Sequence, residues 1–233
     1  MKYSFLSSCA LLLVLTSCTT TKYILNGNYR LSTVENNGTD SITQVKTATY
    51  ADDMIGATLS VGENSIKVKL SNKTNSSMKI LWDEASFVDP SENAHRVIHG
   101  DVKIMDIGKA QIPSVVPKGK QYVGELVLED SVEWVHVASR DDHGYWKHNT
   151  LIKGVTFDKE SEAMSSTIKF NPVLLLLPVE IDGQRYEYSF NFVSKSKSIS
   201  KSKEFDLAKT AWTTLGVTAG ASLFILFAIA SAQ

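Results

Sequence analysis

Polar and apolar residues alternate most clearly between residues 57 and 193. Ser65-Ile66-Lys67-Val68-Lys69-Leu70-Ser71 has the period of two that marks a half-buried strand. Residues 57–61 form a strand candidate just before it, across the turn Gly62-Glu63-Asn64. Asn72-Lys73-Thr74-Asn75-Ser76-Ser77 is a polar loop. Residues 78–88 then carry Ile80, Trp82, Ala85, Phe87 and Val88, and Asp89-Pro90-Ser91-Glu92-Asn93 closes them with turn chemistry. Arg96-Val97-Ile98 is a short strand, residues 112–120 a loop, and residues 121–128 a further strand.

The clearest hairpin comes late. Residues 173–181 lead into Asp182-Gly183, and residues 184–193 follow. Asp-Gly between two such runs predicts a two-residue turn. Tyr186, Tyr188, Phe190 and Phe192 fall on one face under strand alternation. Pro178 lacks a ladder donor, which places its strand at an edge or at a bulge. Elsewhere the pattern is weaker. Residues 23–30 suggest a short strand and turn, and Asn36-Asn37-Gly38-Thr39-Asp40 a turn. Residues 130–165 interrupt the rhythm as a long loop or insertion. Ser194–Lys203 reads as a Ser/Lys-rich linker, too polar to join a core.

Two apolar stretches lie outside this region. Lys2 starts the chain with positive charge, an apolar run follows to Leu15, and small residues precede Cys18. That is the layout of a secretory signal peptide. About 12–14 apolar residues are too few to span a bilayer, which needs roughly 20. Leu15-Thr16-Ser17-Cys18 resembles the lipobox of bacterial lipoproteins. The resemblance implies removal of residues 1–17 and acylation of Cys18, with palmitate-type chains on its sulfur and amine. Cys9 leaves with the signal peptide, so no disulfide forms within the mature chain. About 215 residues are enough for a core without one.

The second stretch, residues 210–231, has no charged side chain. As a helix it extends about 33 Å at 1.5 Å per residue, which matches a hydrocarbon core of about 30 Å. Trp212 falls near one interface. Gly216 and Gly220 form a GxxxG pair that lets two helix backbones approach closely, a route to a homodimer through this helix.

The formal net charge is −1, so no global basic field suits nucleic acid. Lys195, Lys197, Lys201, Lys203 and Lys209 nevertheless cluster ahead of the apolar tail. With lipid on Cys18 the folded part lies outside the cytoplasm, and these lysines flank the helix on the wrong side for the positive-inside rule. Three readings resolve this. The signal peptide dominates orientation; the lysines bind anionic head groups from outside; or the lipobox is spurious and the tail anchors a cytoplasmic domain. The first two are favoured. Thr19 after the acylated Cys implies export to the outer membrane, whereas a spanning helix tends to hold a chain in the inner one. These signals oppose each other and leave the membrane open.

Residues 60–193 resemble the immunoglobulin-like β-sandwich modules of bacterial envelope lipoproteins. Residues 65–97 carry most of the likeness, through their strand, polar turn, Trp82 and Phe87-Val88-Asp89. The likeness places Trp82 in the core. No cysteine pair flanks it, unlike antibody-type domains. The expected fold is therefore mainly β: an immunoglobulin-like β-sandwich with an N-terminal lipoprotein signal peptide and a C-terminal transmembrane helix. The layout is signal peptide 1–17, tether and first strands 18–56, sandwich 57–193, linker 194–209 and helix 210–231.

Candidate chemistry is sparse. His95 and His99 are four apart, but they lie in strand and loop, and no acidic third ligand has a suitable spacing. No metal and no cofactor is expected. Gly-x-Ser-x-Gly and phosphate-cradling loops are absent. Asn37-Gly38-Thr39, Asn72-Lys73-Thr74 and Asn75-Ser76-Ser77 match glycosylation acceptors, yet in a bacterial chain they read as turn formers. Arg140-Asp141-Asp142-His143-Gly144-Tyr145-Trp146-Lys147-His148 is the richest stretch. As an exposed loop on a rigid scaffold it makes Asp142, His143, Tyr145, Trp146 and His148 candidate contacts for an envelope protein or glycan. The expected function is a non-catalytic, membrane-anchored envelope binding module. The alternative is an envelope enzyme or metal-binding protein that uses residues 140–148.

Overall fold

The computed structural model describes residues 19–37, 39–44, 48–137 and 143–205. Cys18, Asp142, and the apolar segment 210–231 with Gly216 and Gly220 lie outside the described residues. Among the described residues no helix is long and apolar enough to cross a membrane.

The fold is mainly β, as its sequence pattern predicts. The strands are β1 (Thr19–Asn36), β2 (Thr39–Gln44), β3 (Thr49–Ala51), β4 (Ile55–Val61), β5 (Ile66–Asn72), β6 (Met78–Ile80), β7 (Ser86–Val88), β8 (Ala94–His99), β9 (Ser114–Val116), β10 (Gln121–Leu128), β11 (Val132–Val137), β12 (His143–His148), β13 (Val155–Phe157), β14 (Val173–Ile181) and β15 (Gln184–Phe205). The chain divides into two compact units. The larger contains Asn26–Val155 and Thr167–Ser198.

In the larger unit, hydrogen-bonded neighbours follow the order β1-β15-β14-β7-β8-β10-β5-β4-β3. β2 pairs with β1, and β6 pairs with β14 and β9. The pairs β4–β5, β5–β10, β8–β10, β7–β8 and β14–β15 are all antiparallel. The sheet curls back on itself. Tyr50 on β3 meets Tyr188 and Phe190 on β15, with ring centroids 6.2 and 6.4 Å apart. Alternation explains which side chains close the core. On β5, Ile66, Val68 and Leu70 are buried while Lys67 and Lys69 face water. Leu175 and Leu177 on β14 join Tyr188, Phe190 and Phe192 in the same cluster. Trp82 is fully buried in a 3-10 turn between β6 and β7.

Local chemistry fixes the turns. Asp182 and Gly183 have φ of 52° and 75°, the paired positive values of a type I′ turn, and Ile181 registers with Gln184. Asn72 is buried and braces the turn that follows β5. Its carboxamide donates to Ser76 and Val116 carbonyls at 2.7 and 2.9 Å and accepts from Thr74. Asp52 ties the β3–β4 corner. One carboxylate oxygen accepts from the Met54 and Ile55 amides, and the other from the Tyr50 and Tyr188 hydroxyls, both at 2.9 Å. Burial, followed by the hydrogen bond to Asp52 and its charge, pushes the Tyr50 phenol well above its ordinary range, and burial, the Asp52 charge and the same bond do so for Tyr188.

Five expectations need correction. Residues 23–30 belong to the 18-residue β1, not to a short strand and turn. Asn26-Gly27-Asn28 mimics a turn, but Gly27 is bare because the Phe170 ring packs there; a Cβ would lie 2.9 Å from it. Residues 130–165 are not one loop, since they hold β11, β12, β13 and helix α1 (Glu160–Ser165). The loop 112–120 contains β9, paired with β6. Pro178 sits in an interior strand. β14 pairs with β6 through residues 179–181 and with β7 through 174–176, so Pro178 falls at the handover. Its carbonyl accepts from the Leu81 amide at 3.0 Å. Finally, Ser194–Lys203 continues β15 as strand, with its lysines exposed.

The smaller unit holds Thr156–Ser166 and, among the described residues, 19–25 and 199–205. α1 buries Ala163. Lys22 pairs with Asp158, Lys201 with Glu160 at 3.1 Å, and the Lys201 ammonium lies 5.3 Å from the Tyr23 ring centroid.

Candidate functional site

The stretch singled out in the sequence is part strand. β12 pairs with β11 in a separate two-stranded sheet. His143, Tyr145 and Trp146 hold register positions opposite Val137, Val135 and Trp134, and His148 lies opposite Val132. The reason is β11. Val132-Glu133-Trp134-Val135-His136-Val137 is a strong β run that templates its partner despite the partner's charges. Trp134 is about half exposed.

His148 and Lys147, at the end of β12, line a cleft of about 830 Å³. That size lies within the ordinary range for ligand sites. One wall is the β7–β8 turn with Asp89, Pro90, Ser91 and Asn93, and the opposite one is the 3-10 turn Glu129–Ser131 after β10. Leu128, Leu151 and Ile152 supply apolar lining. The cleft is held open by backbone bonds. Asn149 donates to the Ser131 carbonyl at 2.7 Å, and Leu151 to the Glu63 carbonyl at 2.9 Å. The Ser131 hydroxyl donates to the Leu128 carbonyl at 2.8 Å.

His95 stands between the two walls. Its Nδ1 lies 2.7 Å from Asp130 Oδ2, and its Nε2 lies 3.3 Å from Asp89 Oδ2. The His95 and Asp89 side chains are each only 20% exposed, whereas Asp130 is 61% exposed. The other Asp89 oxygen accepts from the Ser91 and Asn93 amides at 2.8 and 3.0 Å. Burial pushes the Asp89 carboxyl up, but those amides and His95 outweigh it, and it titrates below the usual carboxylate range. Lys147 pairs with Glu133 at 3.2 Å, across the hairpin. The neighbouring Arg96 turns elsewhere. It donates to Asp83, Glu129 and the carbonyls of Ile107 and Lys109, and so ties down the segment after β8. Its guanidinium holds the Asp83 carboxyl below the usual range.

His99, also on β8, belongs to the core. Its ring stacks on Trp82 with centroids 5.0 Å apart. Four strand residues separate it from His95 by roughly 13 Å, too far for a shared ion. Among the described residues no group of three His, Cys, Asp or Glu side chains could hold a metal. Gln111 reaches in beside His99. Its side-chain oxygen accepts from the His99 amide at 3.2 Å, and its nitrogen donates to the Val97 carbonyl at 2.8 Å.

No family model, no curated protein and no solved structure matches this chain.

Of the residues proposed as partner contacts, His148 lines the cleft, Asp142 lies outside the described residues, and His143, Tyr145 and Trp146 are placed by register on β12. Asp89, His95 and Asp130 were missed as a group. Asp89-Pro90-Ser91-Glu92-Asn93 signalled a turn two residues before His95. Nothing local linked either to Asp130, which arrives through the β8–β10 pairing of Leu128 with Val97.

Proposed function

We propose that this chain is a bacterial envelope lipoprotein whose β module binds a partner outside the cytoplasm without catalysing a reaction. Lipid on Cys18 and a transmembrane helix over residues 210–231 anchor it, and Gly216 and Gly220 supply a helix-pairing face. The anchor reading is supported by the lipobox-like Leu15-Thr16-Ser17-Cys18 and by an uncharged tail of spanning length. The immunoglobulin-like reading of the module is supported by its antiparallel strands and buried Trp82.

One observation carries the binding reading. Polar groups from three separate segments converge on an 830 Å³ cleft with apolar lining. Its partner is an envelope protein or glycan. A photo-crosslinker at His148 should yield a specific adduct in intact cells, and one at Lys67, on an outward sheet position, should not. Equal adducts at both positions, or none, refute cleft binding. Clickable fatty acid should label the chain and lose Cys18→Ala; undiminished labelling of that variant ends the lipoprotein reading.

A further inference from the structure

Among the described residues, His95 reaches both walls of the cleft through its two ring nitrogens. We infer that protonation of His95 clamps the two walls together, making the cleft rigid in mild acid and loose at higher pH. This regulation rests on the reading of the cleft as a binding site.

The argument is donor arithmetic. A neutral imidazole has one N–H and one bare lone pair; an imidazolium has two N–H groups. Both ring nitrogens of His95 face carboxylate oxygens, which only accept. With one proton, the short Nδ1 contact to Asp130 is made, and Nε2 meets Asp89 lone pair to lone pair at 3.3 Å. With two, each contact becomes a charge-assisted hydrogen bond. The two carboxylates sit on different elements, Asp89 in the β7–β8 turn and Asp130 in the 3-10 turn after β10. The second proton therefore cross-links loops that, among the described residues, no other side-chain hydrogen bond connects. Histidine is the side chain whose charge changes between about pH 5 and 8.

The surrounding charges do not reverse this. Glu129 and Asp83 face Arg96. Glu133 faces Lys147. Lys153 and His148 line the same cleft, and among the described residues lining it His148 is the other imidazole. β7 contributes Phe87 opposite His95, which carries no charge.

Hydrogen exchange on the full-length protein in lipid nanodiscs tests the clamp without any partner. Corrected for intrinsic rates, amide protection of residues 89–93 and 129–131 should rise about threefold to tenfold on going from about pH 8 to about pH 5.5. His95→Gln should hold protection constant across that range. Asp130→Asn should roughly halve the response on a logarithmic scale, because one charged acceptor remains. His148→Gln should leave it intact. A flat wild-type profile, a response that survives His95→Gln, or one lost in His148→Gln overturns the inference. The crosslinking experiment reads separately. A pH response without an adduct sinks only the binding reading, and an adduct without a pH response sinks only the clamp.

Discussion

His95 and His99 lie four residues apart on β8, on one face of the strand by alternation, yet their surroundings share almost nothing. His99 is stacked on Trp82, sealed by Gln111, and its Nδ1 makes no hydrogen bond among the described residues. The nearest carboxylate, Asp101, stands 3.6 Å from that nitrogen. Burial dominates, with Asp101 opposing it, so the His99 imidazole is held neutral below its ordinary titration range. His95 instead stands at a cleft with a carboxylate on each nitrogen. The same side chain is packing in one place and a two-sided hydrogen-bond donor in the other. What differs is where the strand leaves the core. Val97, between them, is fully buried, and the turn at residues 89–93 begins just beyond His95.

The largest test removes the wall behind His99. Trp82→Ala deletes a fully buried indole whose Nε1 donates to the Ser114 hydroxyl at 2.8 Å. The expected cost is about 3–5 kcal/mol, read from the urea midpoint. A loss below about 1 kcal/mol means the site collapses without penalty and the His99 environment is not sealed by packing.

Gln111→Ala is the next step down. It strips the acceptor from the His99 amide and the donor from the Val97 carbonyl, both in the interior. Leaving them unpaired should cost about 2 kcal/mol in the same measurement. On the cleft side the matching change is smaller. Asp89→Ala removes the side-chain cap on the Ser91 and Asn93 amides at a half-exposed turn, and about 1 kcal/mol is expected. If the Asp89 variant loses more than the Gln111 variant, the ranking of interior over cleft is wrong.

This contrast also separates what was legible in the sequence from what was not. β5 was readable because its apolar positions alternate with lysines, so that one face packs and the other meets water. The Asp182-Gly183 turn was readable because few residues accept positive φ. β1 was not, because Gly27 serves the Phe170 ring while looking like turn chemistry. The tail of β15 was not, because Ser and Lys lack apolar alternation and depend on neighbouring strands for pairing. The cleft was illegible for a further reason. His148 stood in the segment chosen for its dense chemistry, and Asp89 reaches His95 across the β7–β8 turn, but Asp130 meets it only through the non-local pairing of β8 with β10.

The smallest effect is the most discriminating, because it turns on sign. His99→Phe keeps a ring against Trp82 and removes the unpartnered nitrogen. At about pH 7.5 the change in stability should stay within about 1 kcal/mol, as for other shape-conserving core swaps. In acid the two proteins should diverge. The folded chain resists protonating His99, while the unfolded chain takes up that proton near the ordinary imidazole value of about 6.5. The unfolded state then binds more protons, so wild-type stability falls as pH drops through that value. His99→Phe has nothing to protonate there, and its urea midpoint should fall less between about pH 7.5 and pH 5. Parallel midpoint curves for wild type and His99→Phe would mean that His99 gains its proton in the folded state as readily as in the unfolded one, and the division of β8 into a neutral and a chargeable imidazole would fail.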